Sequence, residues 1–425
     1  MKVNPSLYTG TESMPTDTGW RPFSRLAPVF FAILAAVLLT SMDVPASAYE
    51  VNDHLQVTGL AQMWITLYEQ MEEAEGLHQH PSGDEATNAT SGFSLHRARI
   101  GAYTFWFDRH VEISAQMRLE RNPGLLDVYA GVHPARWLSI YFGQFKIPSS
   151  YEAMVDARDL DFILRTNIAR DLADYSLSRT TYRSSLFYGV NSYYRDMGLG
   201  LKGDIDTGFC ALRYFLMVGN GLGANLFISG AARREYIVTN KGQFFYGARL
   251  EIAEILDTVS VGGHFNYNKH DNIVFNSGRV VYDLNRLSYS GDLEIDVSLI
   301  GLRAVGVYGA GLIDDDYDDD GRTDLLYFGW ESRLLWTLNP LISVFADSAF
   351  WERHFFEIGA RFDRSVGDWN ETGAEVTQNN WTFAVSYLFE DLLKVQLEYM
   401  RKLTDDPSMP ELDDDILFIQ IQGAL

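Results

Sequence analysis

The chain has 425 residues and a formal net charge of −23, with 47% hydrophobic and 14% aromatic residues. That composition suits a globular or membrane-embedded protein and excludes a disordered one. The acidic balance also excludes nucleic acid as a partner, because phosphate neutralisation needs basic patches. The one cysteine, Cys210, allows no intrachain disulfide and no thiolate zinc site, and in an exported chain it is expected to pack as a small hydrophobe.

Residues 26–41, LAPVFFAILAAVLLTS, form the one long apolar run, with Arg21 and Arg25 before it and Ala46-Ser47-Ala48 after it. A positive flank, an apolar centre and a small-x-small site describe a secretory signal peptide over 1–48, cleaved after Ala48. The run is too short for a comfortable transmembrane helix, which needs about 20 apolar residues. The stretch ahead of it is long for such a signal, which points to Met14 as an alternative start. No cysteine stands at the cleavage site, so no lipoprotein anchor is expected. Lys2, Arg21 and Arg25 balance Glu12, Asp17 and Asp43, so the mature chain keeps the full −23.

Strand signals then run from Leu55 to the C-terminus, separated alternately by short and long connections. LQVTGLAQMWITLY (55–68) is followed by a polar loop, FSLHRARIGAYTFWF (93–107), a tight Asp108-Arg109-His110 turn and HVEISAQMRLER (110–121). LLDVYAGVH (125–133) and WLSIYFGQFKI (137–147) lead into the longest irregular stretch, roughly 148–194. GLGLKGDI and FCALRYFLMV make a hairpin around Asp206-Thr207-Gly208, and FFYGARLEI (244–252) pairs with VSVGGHFNYN (259–268). Further strands read at 286–297, 299–311, 325–337, 341–363, 381–389, 393–402 and 416–425. The total is sixteen if 341–363 is one strand and seventeen if it breaks near Trp351. Sixteen is expected, because a barrel with both ends in the periplasm has an even number.

Period-two alternation means strands, but it leaves open which face is wet. Val111, Ile113, Ala115, Met117 and Leu119 share one face, and Glu112, Ser114, Gln116, Arg118 and Glu120 the other. Four features favour lipid outside and water inside. An export signal precedes the strands. Charges of both signs sit deep within the polar faces, Glu112 and Arg118 in one strand and Lys394 and Glu398 in another. Short turns alternate with long loops, and aromatics (Trp106, Trp137, Phe328, Trp330, Trp336, Tyr399) gather near strand ends. After residue 48 no segment could span a bilayer as a helix, so a membrane protein here must be a closed barrel. The expected fold is therefore all-β: a transmembrane antiparallel up-and-down barrel over 49–425.

Several segments resemble the phosphate-selective porin O and P family: GQFKIP (143–148), LDFILR (160–165), RDMGLGLKG (195–203), GNG (219–221), GARLEI (247–252), FEIGARFD (356–363), WTFAVSYLF and the closing IQIQ. No one motif is strong, but their order and spacing cover nearly all of the mature chain. The resemblance implies a trimeric, sixteen-stranded outer-membrane porin whose third extracellular loop, 148–194 by position, folds into the lumen as a constriction. It also implies inward basic residues that line the pore and hold anions. By position these are Arg97, Arg99, Lys146, Arg165, Arg195, Lys202, Arg249 and Arg361, to which strand parity adds Glu112 and Arg118. The chain departs from that pattern, since Glu112, Glu120, Asp127 and Glu251 also point inward by parity. A mixed lumen predicts weak selectivity, near zero or slightly toward cations given the acid-rich balance.

DYDDDGRTD (316–324) offers Asp316, Asp318, Asp320 and Asp324 as hard oxygen ligands around a glycine turn, a spacing that suits Ca²⁺. The twelfth position is Tyr327 rather than glutamate, and the favoured reading is a solvated acidic loop bridged by divalent ions to lipopolysaccharide. His78 and His80 lack a third ligand and read as a mobile loop. No nucleotide loop and no Gly-x-Ser-x-Gly elbow occurs. The expected function is a passive, weakly selective porin with no cofactor, partnered by lipid, lipopolysaccharide and small ions or polar solutes. The alternatives are an outer-membrane barrel enzyme, which would need a Ser/His pair at the rim, and a soluble exported β-sandwich.

Overall fold

The computed structural model describes residues 49–52, 54–68, 92–120, 123–173, 194–221, 237–239, 244–270, 273–275, 280–281, 284–315, 325–342, 351, 353–367, 375–390, 392–405 and 412–424. The expected signal segment 1–48, the acidic run 316–324 and His78 and His80 lie outside them.

The strands are β1 (Tyr49–Asn52), β2 (Leu55–Tyr68), β3 (Gly92–Trp106), β4 (Val111–Arg118), β5 (Gly124–Ala135), β6 (Leu138–Lys146), β7 (Arg195–Asp206), β8 (Ala211–Gly219), β9 (Ile237–Thr239), β10 (Phe245–Ile255), β11 (Val259–His270), β12 (Ile273–Phe275), β13 (Val280–Val281), β14 (Leu284–Val297), β15 (Leu302–Asp315), β16 (Leu325–Thr337), β17 (His354–Gly367), β18 (Val376–Phe389), β19 (Leu393–Asp405) and β20 (Leu412–Ala424). Three short helices are α1 (Tyr151–Met154), α2 (Asn167–Ala173) and α3 (Asn339–Ile342).

Sixteen strands, β2–β8, β10, β11 and β14–β20, pair antiparallel with their neighbours in chain order, and β20 closes on β2 through Leu60↔Ala424 to Tyr68↔Ile416. Closure leaves no bare edge. The remaining short strands are peripheral: β1 pairs with β2, and β9, β12 and β13 form a separate three-stranded sheet. This small sheet was not legible in the alternation. The count of sixteen holds for a different reason than the sequence suggests. Residues 339–342 are helical and the thirteenth barrel strand begins at His354 and runs on to Gly367, so 341–363 is not one strand.

Alternation now has a direction. On β4, Ile113 is 51% exposed and Met117 38%, while Ser114 between them is fully covered. The same side of the wall carries exposed Leu250, Phe265, Tyr289, Leu334 and Phe383, and the opposite side carries buried Arg249, His264, Ser290, Arg333 and Thr382. The outside is apolar and the inside polar, the reverse of a soluble sandwich, and the sandwich alternative falls with it. Trp106, Trp137 and Trp336 stand exposed at the rim of the short turns. That rim is built tightly: between β3 and β4, Phe107, Asp108 and Arg109 all take positive φ (52, 55 and 65°), closed by a bond from the His110 amide to the Phe107 carbonyl at 3.0 Å.

One irregularity decides what β3 points inward. Gln62 faces Arg97 but Met63 faces Leu95, so His96 is an extra residue opposite β2. The bulge turns Phe93 and Leu95 outward, 85% and 52% exposed, while Arg97 donates to Gln62 Oε1 inside at 2.6 Å.

Candidate functional site in the barrel interior

The segment after β6 does not leave the barrel. Pro148 and the residues through Ala173 fold back along the inner wall, and inward side chains of the barrel strands hydrogen-bond to them. Arg249 of β10 donates to the Ser149 carbonyl (3.3 Å), Gln62 of β2 to Ala157 (3.1 Å) and Gln422 of β20 to Arg158 (2.9 Å). Lys394 and Gln396 of β19 donate to the carbonyls of Leu160 and Asp161 (2.6 and 2.7 Å), and Arg361 of β17 to that of Leu164 (2.7 Å). Ser288 of β14 donates to Leu172 (3.2 Å), and Glu398 accepts the Ile163 amide at 2.7 Å. Asn167 donates to Gln378 of β18 at 2.5 Å. A chain without regular structure can be buried only if its backbone groups are answered in this way.

Apolar anchors complete the seat. Phe162 lies against Leu335 and Ala384, and Ile163 packs with Trp64, Ile416 and Phe418. Inward glycines make room: a Cβ at Gly359 would come within 3.1 Å of the Phe162 ring, and one at Gly309 within 2.3 Å of Leu172.

The charges form a clamp. Glu152 of α1 is 1% exposed and lies 3.2 Å from Arg333 and 3.5 Å from Arg361, while accepting both the amide and hydroxyl of Thr166 at 2.8 Å. Asp161 bridges Arg303 of β15 and Arg333, the latter at 3.2 Å, and Arg333 also meets Glu331 beside it on β16. Burial opposes ionisation of Glu152, but Arg333, Arg361 and the Thr166 amide outweigh it and hold its carboxyl below the ordinary range. Asp156 is lowered too: burial opposes ionisation there, and Lys146 outweighs it.

The structure also places the candidate pore-lining residues. Lys146 donates to Asp156 (2.7 Å) and to the carbonyls of Met154 and Val155 (both 3.0 Å). Arg165 donates to the carbonyls of Glu152 (3.1 Å) and Val155 (2.5 Å) within its own segment. Arg195 makes a two-pronged pair with Asp127 (2.9 and 2.7 Å), as does Arg249 with Asp292 (2.7 and 2.8 Å). Arg361 belongs to the Glu152 clamp. Arg99 stands directly across from Arg118 in the β3–β4 register. Glu112 accepts from Tyr129 Oη (2.7 Å) and lies 3.1 Å from His133 Nε2, whose Nδ1 is 2.9 Å from Ser139 Oγ. Lys202 lies over the rings of Tyr141 (4.9 Å) and Phe215 (4.4 Å).

The residues missed in the sequence are Glu152, Asp161, Arg303 and Arg333; Lys394 and Glu398 were read as lumenal, but not as partners of the segment. Alternation would have turned Arg303 and Arg333 inward, since they share a face with Val305 and Glu331. Nothing local pairs them with acids some 140 to 180 positions earlier.

No protein-family model matches the chain, and no curated protein matches it. Solved structures do. OmpF of Salmonella typhi, in complex with daunomycin, superposes with a TM-score of 0.54 at 12% identity, over 87% of this chain and 97% of that one. OmpT, an outer membrane protein of Vibrio cholerae in its trimer form, gives 0.52 at 11%, over 87% and 99%. The outer membrane channel DcaP of Acinetobacter baumannii gives 0.50 at 9%, over 89% and 100%. At these identities the likeness is one of fold. The chain is a closed sixteen-stranded antiparallel barrel of the kind those outer-membrane proteins have.

Proposed function

We propose that this chain is an outer-membrane porin, a water-filled channel for passive diffusion of small ions and polar solutes, working as a homotrimer in contact with lipid and lipopolysaccharide. The observation that carries it is the combination of an apolar exterior, a charged interior and a segment bound along the inner wall, which narrows the bore. The likeness in fold to OmpF, OmpT and DcaP supports the same reading.

Selectivity is proposed to be weak. A phosphate filter needs inward cations free to exchange water for oxyanions. Here Lys146, Arg195, Arg249 and Arg361 are each set against a carboxylate, so four of the family-like cations are neutralised in place. Reversal potential in asymmetric KCl across a planar bilayer tests this. Channels with a potential near zero support it, strong anion preference revives a phosphate pore, and a folded barrel that never conducts ends the channel reading.

The enzyme alternative has one observation in its favour, the Ser139–His133–Glu112 chain on the lumenal side. Hydrolysis of short nitrophenyl esters by the purified barrel, abolished in Ser139→Ala, would establish it; background rates in both leave the channel reading alone.

A further inference from the structure

Lys202 differs from Lys146, Arg195, Arg249 and Arg361, each of which is set against a carboxylate. Among the described residues its ammonium makes no hydrogen bond and no ion pair; its close contacts are the faces of two rings, Tyr141 and Phe215. The neighbouring acids are already occupied. Asp127 is taken by Arg195, Asp156 by Lys146, and Glu112 by Tyr129 and His133. Rings stabilise a cation but offer no in-plane acceptor for its three N–H donors.

The surroundings are also unusual for a hydrated bore. Tyr129 and Tyr141 (5.4 Å between centroids), Tyr141 and Phe145 (6.1 Å), and Phe145 and Phe215 (6.2 Å) make a continuous aromatic run across the inner faces of β5, β6 and β8. Register places Ser139 directly beside Lys202 and Phe215 on its other side. Gly131 lies opposite Tyr141, where a Cβ would come within 3.1 Å of that ring, so the wall is hollowed to seat it. An ammonium with no ion pair among the described residues, a neighbouring hydroxyl, and half-buried Tyr129 and Tyr141 backed by buried Phe145 and Phe215 are the parts of a site for an amphipathic anion.

We propose that Lys202, Ser139, Tyr141 and Phe215 form a lumenal subsite for organic monocarboxylates that carry an apolar or aromatic group. The carboxylate takes the Lys202 donors and the Ser139 hydroxyl, whose oxygen then accepts from His133 Nδ1, and the apolar part lies along Tyr141 and Tyr129. A small inorganic anion meets the ammonium and the hydroxyl but gains nothing from the rings; a neutral sugar brings no charge to pair with the ammonium. This rests on the channel reading and names a class of solute that the channel would favour.

The test uses the refolded full barrel with sodium benzoate as probe, read in two ways: interruption of the KCl current in a planar bilayer, and equilibrium dialysis against the detergent-folded protein, which needs no conduction. Acetate and glucose are controls. Benzoate should bind and interrupt the current, and Lys202→Gln should weaken it about ten- to hundredfold, the loss of a charge-assisted bond. Tyr141→Leu should weaken benzoate about two- to tenfold and leave acetate unchanged. Heat-modifiable gel mobility checks that both variants are folded. Benzoate binding that Lys202→Gln leaves intact, acetate and benzoate binding alike, or glucose binding in place of benzoate would each overturn the subsite. Failure to conduct with benzoate binding intact would sink the channel reading and spare the subsite.

Discussion

Glu152→Gln separates the clamp from the rest of the barrel. The change keeps the side chain's size and leaves Arg333 its contacts with Glu331 and Asp161, but it removes the charge shared between Arg333 and Arg361 and weakens the acceptor for the Thr166 amide and hydroxyl. Removing one partner of a fully buried pair costs about 3–5 kcal/mol, and a hydrogen bond to a charged group is worth about 1.5–3 kcal/mol. Because Arg333 stays partly neutralised, the expected loss is about 2–3 kcal/mol of segment docking, or a shift of about 30- to 140-fold in the docked-to-released ratio. Hydrogen exchange reads this directly: the amides of Ile163 and Thr166 are held by carboxylates of Glu398 and Glu152 and should exchange faster by that factor, while amides of β3 and β18 stay as slow as before. Ile163 and Thr166 amides unchanged within about threefold would refute the reasoning, because docking would then not depend on buried charge. Loss of protection throughout the barrel would refute it differently, by making the clamp part of the wall's own stability.

Acid should mimic this substitution. The folded-state carboxyl of Glu152 is held below its ordinary 4.5, so its stabilising contribution is complete above that value and decays as pH falls through the lower folded one; protection of residues 158–168 should drop only on strong acidification, and a loss on raising the pH instead would contradict the assignment. Gly359→Val should crowd Phe162 and cost about 1–3 kcal/mol of docking, seen as larger or noisier single-channel conductance with barrel mobility unchanged. Phe383→Arg, on the apolar outside, should cost about 2–4 kcal/mol in refolding into vesicles; a neutral outcome would mean that this face does not meet hydrocarbon. Spin labels at 113 and 117 in a Cys210→Ser background should be quenched by oxygen, and labels at 116 and 118 by aqueous nickel complexes; the reverse pattern would turn the barrel inside out.

Local alternation made the wall legible. The VEISAQMR segment of β4 shows its two faces in eight residues, and all sixteen barrel strands correspond to stretches picked out by period two. What escaped was whatever depends on partners far away in the chain. Residues 341–353 read as strand because Ile342, Val344 and Phe345 are β-formers, yet 339–342 is a helical turn opened by Asn339, whose side chain accepts the Phe356 amide at 3.1 Å. The bulge at His96 cannot be seen without β2 beside it. The site was legible only in part: Lys146, Arg195, Arg249 and Arg361 were found, but the clamp of Glu152 and Asp161 with Arg303 and Arg333 was not, because Glu152 and Asp161 sit in an irregular stretch whose composition gives no hint of the strands they meet. The acidic total of −23 thus says little about the bore, where pairs cancel.

The seam between β2 and β20 joins the earliest long strand to the latest. Hydrocarbon tolerates no half-made ring: until the final segment arrives, two rows of amide and carbonyl groups would stand naked against acyl chains. Insertion must therefore be a single event that waits for the whole polypeptide, and a truncation of even a dozen residues at the carboxyl end should leave no smaller pore behind, only material destined for degradation.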